Sequence, residues 1–353
     1  QESVLRLIND GDEAETVRIT GIDDAGGAKG VVTASLPAGE AMRFTAAELE
    51  DGAAPGLSGE LGDGTGKWRL RIEAGKDVTA MGLLETPTGH LANLSAPPPA
   101  RDAEGIVRIP LFLSASEPSK EGFMREGFMR VVNRSGREGA VAITAFDDMG
   151  AEHGPVSLSL GPRESRHFNS GELEAGSPAK GLDGSTGAGS GNWRLELDGG
   201  DLDFEALAYV RTDDGFVTAM HEVAPDAGGA ARIAFLNPGS NNGQESVLRL
   251  ANGDDDAAFI TVTAIDDAGR AGGAPITLEL PAGHAAEVTA KALEEGSGGL
   301  SGALGDGQGK WRLCVEADGP VTAMSLLETP TGHLTNLSGS PDLAECPAGG
   351  PEG

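Results

Sequence analysis

The sequence repeats itself, and this repetition constrains the fold more than any other feature. The opening stretch "QESVLRL" (residues 1–7) returns unchanged at 244–250, and "LLETPTGHLANLS" (83–95) returns at 326–338 with a single substitution. A more divergent copy lies between them and is recognised by landmarks such as "RVVNRSG" (130–136). Copies of ordinary domain size that follow one another are expected to fold as similar domains in series.

The repeat divides the chain into three homologous units joined by two linkers. The stretches "PPPAR" and "APDAGG" separate the units, and their Pro and Gly content is typical of linkers. The predicted segments are unit 1 (1–96), a Pro-rich linker (97–105), unit 2 (106–224), a second linker (225–230), unit 3 (231–338) and a flexible tail (339–353). Units 1 and 3 are closely alike, so agreement of either with unit 2 is the more informative comparison.

Alternation of apolar and polar residues predicts strands, whereas helical periodicity is nearly absent. In "KWRLRIEA", Trp68, Leu70 and Ile72 fall on one face, and charged residues fall on the other. The same alternation surrounds Trp193 in unit 2 and Trp311 in unit 3. One buried and one solvated face is typical of antiparallel sheets. We therefore predict that the three tryptophans are core residues of equivalent strands.

Short strands separated by regular turn signals predict an all-β fold of three tandem β-sandwich domains. Each unit ends in a predicted hairpin, and the turns "TPTG" and "TDDG" place Gly89 and Gly215 where a positive φ is most needed. A short helix is expected at "TAAELEDG", because Thr45 and Glu48 have the spacing of a capping box.

This combination of alternating strands and turns resembles the tandem immunoglobulin-like sandwich repeats of bacterial secreted and surface proteins. The resemblance covers nearly the whole chain and rests on the pattern rather than on a diagnostic motif. It implies three immunoglobulin-like domains and a location outside the cell or on the bacterial cell surface. It implies no particular activity.

Unit 1 lacks a segment that the other two units have. Unit 2 starts with "VRIPLFLSASEPS" and unit 3 with "ARIAFLNPGSNNG", each of which reads as a first strand and a loop, whereas unit 1 starts at "QESVLRL". A sandwich that is one strand short exposes unpaired backbone and apolar surface. We therefore expect Val4, Leu5, Leu7 and Ile8 to line an assembly edge. That edge is open in a fragment of a longer protein, filled by a strand from a neighbouring molecule, or removed by a rearrangement of unit 1.

The charge balance disfavours two classes of partner. The chain has 55 acidic and 26 basic residues, and its formal net charge is −29 at pH 7. Such a surface repels nucleic acid and anionic membranes, and no apolar run is long enough to span a membrane. The expected partners are therefore further copies of the chain or neighbouring domains of the same protein.

The two cysteines form a candidate disulfide. Cys314 lies on the outward face of the Trp311 strand, and Cys346 lies in the tail. A bond between them would attach the tail to unit 3 and would suit an oxidising compartment. Two free thiols are the alternative.

Paired aspartates recur in all three units and are the candidate metal ligands. The pairs are Asp23 and Asp24, Asp147 and Asp148, and Asp266 and Asp267. Together with Asp63 or Asp306 they could bind Ca²⁺, which is the only cofactor that the sequence suggests. The alternative, which the "DDxG" spacing favours, is a turn in which the aspartate accepts backbone N–H groups.

The sequence contains no combination of residues that indicates catalysis. GxSxG and CxxC patterns are absent, and the histidines His90 and His333 correspond to Phe216 in unit 2, which indicates packing. We expect a non-enzymatic structural or adhesive repeat protein, either part of a larger surface protein or the subunit of a filament assembled through strand edges. The alternative function is an accessory carbohydrate- or protein-binding module of a secreted hydrolase. That alternative needs exposed aromatic residues, but Tyr209 is the only tyrosine.

Overall fold

The computed structural model describes residues 1–116, 123–225, 229–241 and 243–339, and it shows an all-β chain. Strands hold 50% of the residues and helices hold 6%, which confirms the predicted class. The described residues form six separate sheets, and every strand pairing in them is antiparallel. Within these ranges no helix is both long enough and apolar enough to cross a membrane.

The strands of unit 1 form two four-stranded sheets. Their bounds are β1 (Glu2–Asn9), β2 (Glu15–Ile22), β3 (Ala28–Leu36), β4 (Ala41–Thr45), β5 (Leu57–Ser58), β6 (Arg69–Glu73), β7 (Val78–Glu85) and β8 (Leu91–Asn93). The strand orders are β4-β1-β7-β8 and β5-β3-β2-β6. A short helix, α1 (Ala46–Asp51), follows β4 directly.

Unit 2 repeats this arrangement with one additional strand at its start. Its strands are β9 (Ile106–Phe112), β10 (Arg125–Asn133), β11 (Gly139–Phe146), β12 (Glu152–Leu160), β13 (Ser165–Asn169), β14 (Leu182–Asp183), β15 (Trp193–Asp198), β16 (Phe204–Thr212) and β17 (Val217–Ala219). The strand orders are β13-β10-β16-β17 and β14-β12-β11-β15-β9. Helix α2 (Ser170–Ala175) and a 3₁₀ turn (Pro178–Lys180) follow β13.

Unit 3 has the same topology as unit 2. Its strands are β18 (Ala230–Leu236), β19 (Glu245–Asn252), β20 (Ala258–Asp266), β21 (Ala274–Leu280), β22 (Ala285–Thr289), β23 (Ser301–Ala303), β24 (Trp311–Ala317), β25 (Val321–Glu328) and β26 (Leu334–Asn336). The strand orders are β22-β19-β25-β26 and β18-β24-β20-β21-β23. Helix α3 (Ala290–Glu295) follows β22.

In each unit one hydrophobic cluster takes side chains from both sheets. Leu7 of β1 and Ile19 of β2 share a cluster in unit 1, and Val131 of β10 and Ile143 of β11 share one in unit 2. Unit 3 follows the same pattern. Burial of apolar area between the sheets is the main favourable term in folding, and it selects the alternating residues that predicted the strands.

The strand that was expected to form an open edge lies inside its sheet. β1 pairs with β4 on one side and with β7 on the other, so Val4, Leu5, Leu7 and Ile8 do not line an edge. The prediction is corrected because the segment that unit 1 lacks belongs to the other sheet. β9 and β18 pair with the tryptophan strands β15 and β24, whereas β6 has no outer neighbour among the described residues.

The tryptophans lie at equivalent places but are not equally buried. Trp193 is fully buried and Trp311 is 2% exposed, and both belong to the clusters of their units. Trp68 is half-buried and packs against the cluster of unit 1. The difference follows the outer neighbour, which β15 and β24 have and which β6 does not have among the described residues.

Each indole N–H donates to a glutamate of the short helix in its own unit, a contact that the sequence did not suggest. The pairs are Trp68 with Glu50 (2.7 Å), Trp193 with Glu174 (2.8 Å) and Trp311 with Glu294 (2.9 Å). A buried indole needs such an acceptor, so the helix is fixed over the tryptophan strand in all three units.

Local predictions at a helix start and at two turns are confirmed. Thr45 and Glu48 form both bonds of a capping box at the start of α1. Gly89 and Gly215 have φ values of 88° and 85° in their hairpin turns, which residues with a Cβ rarely adopt.

The structure describes one of the two cysteines of the candidate disulfide. Cys314 lies in β24 and is buried, although the alternation of the strand predicted an outward position. Cys346 lies outside the described residues, so its pairing with Cys314 stays a prediction.

Candidate assembly interface

The first aspartate of each pair ties together two loops of its own unit. In unit 1, Asp23 accepts the backbone N–H of Gly27 through one oxygen (2.8 Å) and that of Thr65 through the other (3.1 Å). The equivalent contacts are Asp147 with Ala151 and Ser190, and Asp266 with Arg270 and Gln308. Burial alone would raise the pKa of Asp23, but these N–H groups lower it. The geometry is that of the predicted turn.

The first aspartates of units 1 and 3 also face a basic side chain. Lys29 lies 3.3 Å from Asp23, and Arg270 lies 2.7 Å from Asp266. The N–H groups and these side chains occupy the oxygen atoms that Ca²⁺ would need. Asp63 and Asp306 are exposed and, within the described ranges, belong to no group of three converging metal ligands. These contacts support the turn interpretation over calcium binding.

In units 1 and 2 the second aspartate of the pair reaches the next unit. Asp24 of unit 1 accepts a hydrogen bond from Arg130 on β10 of unit 2 at 2.7 Å. Asp148 of unit 2 accepts one from Arg249 on β19 of unit 3 at 2.5 Å. The other carboxylate oxygen of each aspartate accepts a backbone N–H of its own unit. A bond within the unit therefore orients the carboxylate toward the arginine. The same ion pair therefore joins unit 1 to unit 2 and unit 2 to unit 3.

The main chain repeats the contact. The carbonyl of Asp24 accepts the N–H of Ser165, and the carbonyl of Asp148 accepts the N–H of Ala285, both at 2.9 Å. Ser165 and Ala285 are the first residues of the equivalent strands β13 and β22. Each aspartate therefore contacts two neighbouring strands of the following unit.

The glycine of each "DDxG" turn lies against a loop of the following unit. A Cβ added at Gly26 would lie 2.4 Å from the carbonyl oxygen of Pro162. A Cβ added at Gly150 would lie 3.0 Å from the carbonyl carbon of Gly283. A contact this close leaves no space for a side chain at Gly26, and at Gly150 the facing loop would have to shift.

A third polar contact joins successive units at their hairpin turns. Gln1 donates its side-chain N–H to the carbonyl of Gly215 in unit 2. At the equivalent place, Arg125 donates to the carbonyl of Gly332 in unit 3 (3.4 Å) and forms an ion pair with Glu328 (3.3 Å). The two junctions thus share the ion pair, the main-chain hydrogen bond and the contact at the hairpin turn.

Apolar residues surround these polar contacts at both junctions. At the first junction Leu84, Leu94 and Ala96 of unit 1 pack against a cluster of unit 2, which consists of Phe128, Tyr209, Val217 and Ala219. At the second junction one cluster combines Leu111, Leu113, Val210 and Met220 of unit 2 with Val247, Met324, Leu326 and Leu334 of unit 3. Burial raises the pKa of Tyr209 to about 12, which reflects an apolar setting.

The arginine of the second junction is removed from water. Arg249 is 1% exposed, and it also forms an ion pair with Glu287 of its own unit at 3.0 Å. Burial of a charge is costly unless partners surround it. The burial of Arg249 is therefore tolerated because Asp148 and Glu287 pair with its charge.

Unit 1 and unit 3 each present one half of this contact. Arg6 stands at the position of Arg130 and Arg249, and Asp267 stands at the position of Asp24 and Asp148. Arg6 and Asp267 are exposed, and neither forms an ion pair with any residue of the described ranges.

The loop glycines beside these two exposed residues are also not in contact with another unit. Gly39 corresponds to Gly283, and Gly269 corresponds to Gly26 and Gly150. A Cβ added at Gly39 or at Gly269 would meet nothing within 4 Å. Both loops are therefore uncovered, whereas their counterparts touch a neighbouring unit.

The apolar part of the first half is uncovered as well. Leu91 of unit 1 is 59% exposed, whereas its counterparts Val217 and Leu334 are 9% and 5% exposed. A single exposed leucine is ordinary on a protein surface. Here it occupies the position that a preceding unit covers in units 2 and 3.

Comparison with known proteins adds no relative, because no protein-family model and no curated protein matches the sequence significantly. The structure brings Asp24 and Asp148 to the unit junctions, while Asp63 and Asp306 remain at exposed turns. Sequence reasoning missed the arginine partners. The available signal was that an arginine and a doubled aspartate each recur at the same place in all three units.

Proposed function

We propose that this protein is a non-enzymatic structural repeat protein whose copies join head to tail. It consists of three tandem immunoglobulin-like sandwiches outside the cell or on the bacterial cell surface. One observation carries the proposal: the contact that joins successive units recurs twice, and its two halves, at Arg6 and Asp267, are left exposed.

The contact joins two different surfaces, so it can be repeated from one copy to the next. A heterologous contact of this kind forms a ring if the rotation closes, and otherwise an open filament. Asp267 of one copy would receive Arg6 of the next, in the way that Asp148 receives Arg249. The face of β1 that carries Arg6, rather than a strand edge, is therefore the proposed assembly surface.

The alternative function, an accessory binding module of a secreted hydrolase, has less support. Such modules commonly bind ligands on exposed aromatic rings. Trp193 and Trp311 are buried, and the N–H of the half-buried Trp68 already has a partner in Glu50.

Charge reversal at the two halves tests the proposal. The intact chain is expected to form larger species as its concentration rises, as measured by sedimentation velocity. R6D and D267R should each remain monomeric, because like charges would then meet at the contact. A mixture of R6D and D267R should assemble again as an alternating polymer, since every contact in it joins an arginine to an aspartate.

Matched controls change the same charges elsewhere. R18D and D183R alter exposed residues on β2 and β14 that take no part in either junction, and they should assemble like the unaltered chain. An unaltered chain that stays monomeric at every concentration would overturn the proposal. A mixture of R6D and D267R that fails to assemble would do the same.

A further inference from the structure

The hairpin turns of all three units meet at one place. These turns span residues 86–90, 212–216 and 329–333, and each unit contributes the equivalent residue: His90, Phe216 or His333. The ring centroids of His90 and His333 are 4.8 Å apart, and the ring of Phe216 lies 5.7 Å and 5.5 Å from them. Equivalent rings of three units thus form a small triangle.

A carboxylate of the unit 2 turn completes the group. Oδ2 of Asp214 lies 2.9 Å from Nε2 of His333 and 3.4 Å from Nε2 of His90. One ligand atom from each side chain lies within 4.8 Å of the others, and within the described ranges this is the one group of three that meets this condition. We propose that His90, Asp214 and His333 bind one transition-metal ion, with Zn²⁺ as the expected ion.

Two of the three ligand separations fit this ion. Zinc binds imidazole nitrogen and carboxylate oxygen at about 2.0–2.2 Å, so two ligands at a tetrahedral angle lie about 3.3 Å apart. The separations of Asp214 from His333 and from His90 lie on either side of that value. Two imidazoles favour zinc over calcium, which prefers oxygen ligands alone.

Neighbouring groups hold the ligands in the required orientation. The hydroxyl of Thr331 lies 3.0 Å from Nδ1 of His333, so Nε2 is the nitrogen turned toward Asp214. The hydroxyl of Thr212 donates to Oδ1 of Asp214 at 2.6 Å, which leaves Oδ2 for the metal. Such outer contacts orient ligands in known metal sites.

One coordination position remains for solvent. His90 is exposed, whereas His333 is largely buried under Phe123 and Phe216, whose rings lie 4.6 Å and 5.5 Å from it. Three protein ligands and one accessible position form a common zinc arrangement. The entry path is the exposed side at His90.

A bound ion would link all three units. Each ligand comes from a different hairpin, so metal binding would fix the relative positions of the units within one chain. This role goes beyond the proposed assembly of copies, because Arg6 and Asp267 take no part in it.

Calorimetric titration of the metal-free full chain with ZnCl₂ tests the site. The expected result is one ion bound per chain and a rise in melting temperature, because a ligand that binds only the folded state stabilises it. Bound Co²⁺ should give the visible absorption of a tetrahedral site. Titration of the R6D chain should give the same result, which separates this test from that of assembly.

Variants identify the ligands. His90→Phe and His333→Phe introduce the ring that unit 2 carries at this position, so the packing is retained while a ligand is lost, and binding of the ion should disappear. Thr331→Val should weaken binding by about 10–100-fold, the usual effect of removing an outer contact. Asp213→Asn, on the same turn, should bind like the unaltered chain.

Zinc binding that is unchanged in His333→Phe would place the ion elsewhere and overturn the inference. An unaltered chain that binds no ion would also overturn it. Far-ultraviolet circular dichroism and melting of each metal-free variant show whether the fold is retained.

Discussion

Units 1 and 3 have closely similar sequences, yet equivalent residues are buried in unit 3 and exposed in unit 1. Trp311 is 2% exposed, whereas Trp68 is only half-buried. Leu334 is 5% exposed, whereas Leu91 is 59% exposed. Local sequence cannot account for these differences, because the surrounding letters are nearly the same.

Two neighbours that the structure describes for unit 3, and does not describe for unit 1, account for the difference. β18 covers the outer side of β24, and the structure describes no strand beside β6. Unit 2 covers the face of β19, while the equivalent face of β1 carries the exposed Arg6. Burial is therefore set by what lies next to a unit, and each neighbour can be tested by a matched pair of variants.

Replacing the tryptophan should cause the largest loss of stability, and this loss should differ between the units. Trp311→Ala leaves a cavity in a closed core and removes the donor to Oε1 of Glu294. We therefore expect a loss of about 3–5 kcal/mol, as for other large aromatic truncations. Trp193→Ala should behave in the same way. Trp68→Ala should cost clearly less, because its indole is already partly solvated. Native-state hydrogen exchange, read separately for β24, β15 and β6, measures each loss in the intact chain.

Equal losses at Trp68 and Trp311 would show that the outer strand does not set the burial of the tryptophan. The comparison between the two units would then lose its physical explanation.

Removing the arginine should have the next largest effect. Arg249→Ala leaves Asp148 without its partner at the junction, and loss of one member of a buried charge pair costs about 2–5 kcal/mol. Arg6→Ala at the equivalent exposed position should change stability by no more than about 0.5 kcal/mol. Chemical denaturation of dilute samples compares the two variants, and a large loss at Arg6 would contradict the view that its surface is uncovered.

Supplying the missing strand should have the smallest effect and should remove the difference between the units. The peptide "ARIAFLNPGS", which copies the start of unit 3, should pair with β6 as β18 pairs with β24. At a concentration of about 100 times its dissociation constant, it should stabilise unit 1 by about 2.7 kcal/mol. Hydrogen exchange of Arg69–Glu73 measures its binding, and a scrambled peptide is the control. Equal protection by both peptides would show that no strand-specific edge exists at β6.

The local features of the fold could be predicted from the sequence because they depend on near neighbours. The strand alternation, the capping box of Thr45 and Glu48, and the glycine turns are all of this kind. The hydrogen bond of the aspartate turn is also local, since Asp23 accepts an N–H four residues away.

Features that depend on distant neighbours were predicted wrongly or missed. The open edge was placed at Val4–Ile8 because the missing segment precedes that strand in sequence, but in space the segment belongs beside β6. The contact of Asp24 with Arg130 joins residues that lie in different units. No local pattern reports which surface of one unit will face another.

The middle unit contains a tandem copy of five letters, "EGFMREGFMR" (121–130), whose copies end in Arg125 and Arg130. Because successive side chains in a strand alternate, an odd spacing turns these two arginines to opposite sides of the sheet. Arg125 contacts Glu328 in the third unit, and Arg130 contacts Asp24 in the first. Because both arginines lie in β10, this one strand carries a cation for the unit before and a cation for the unit after.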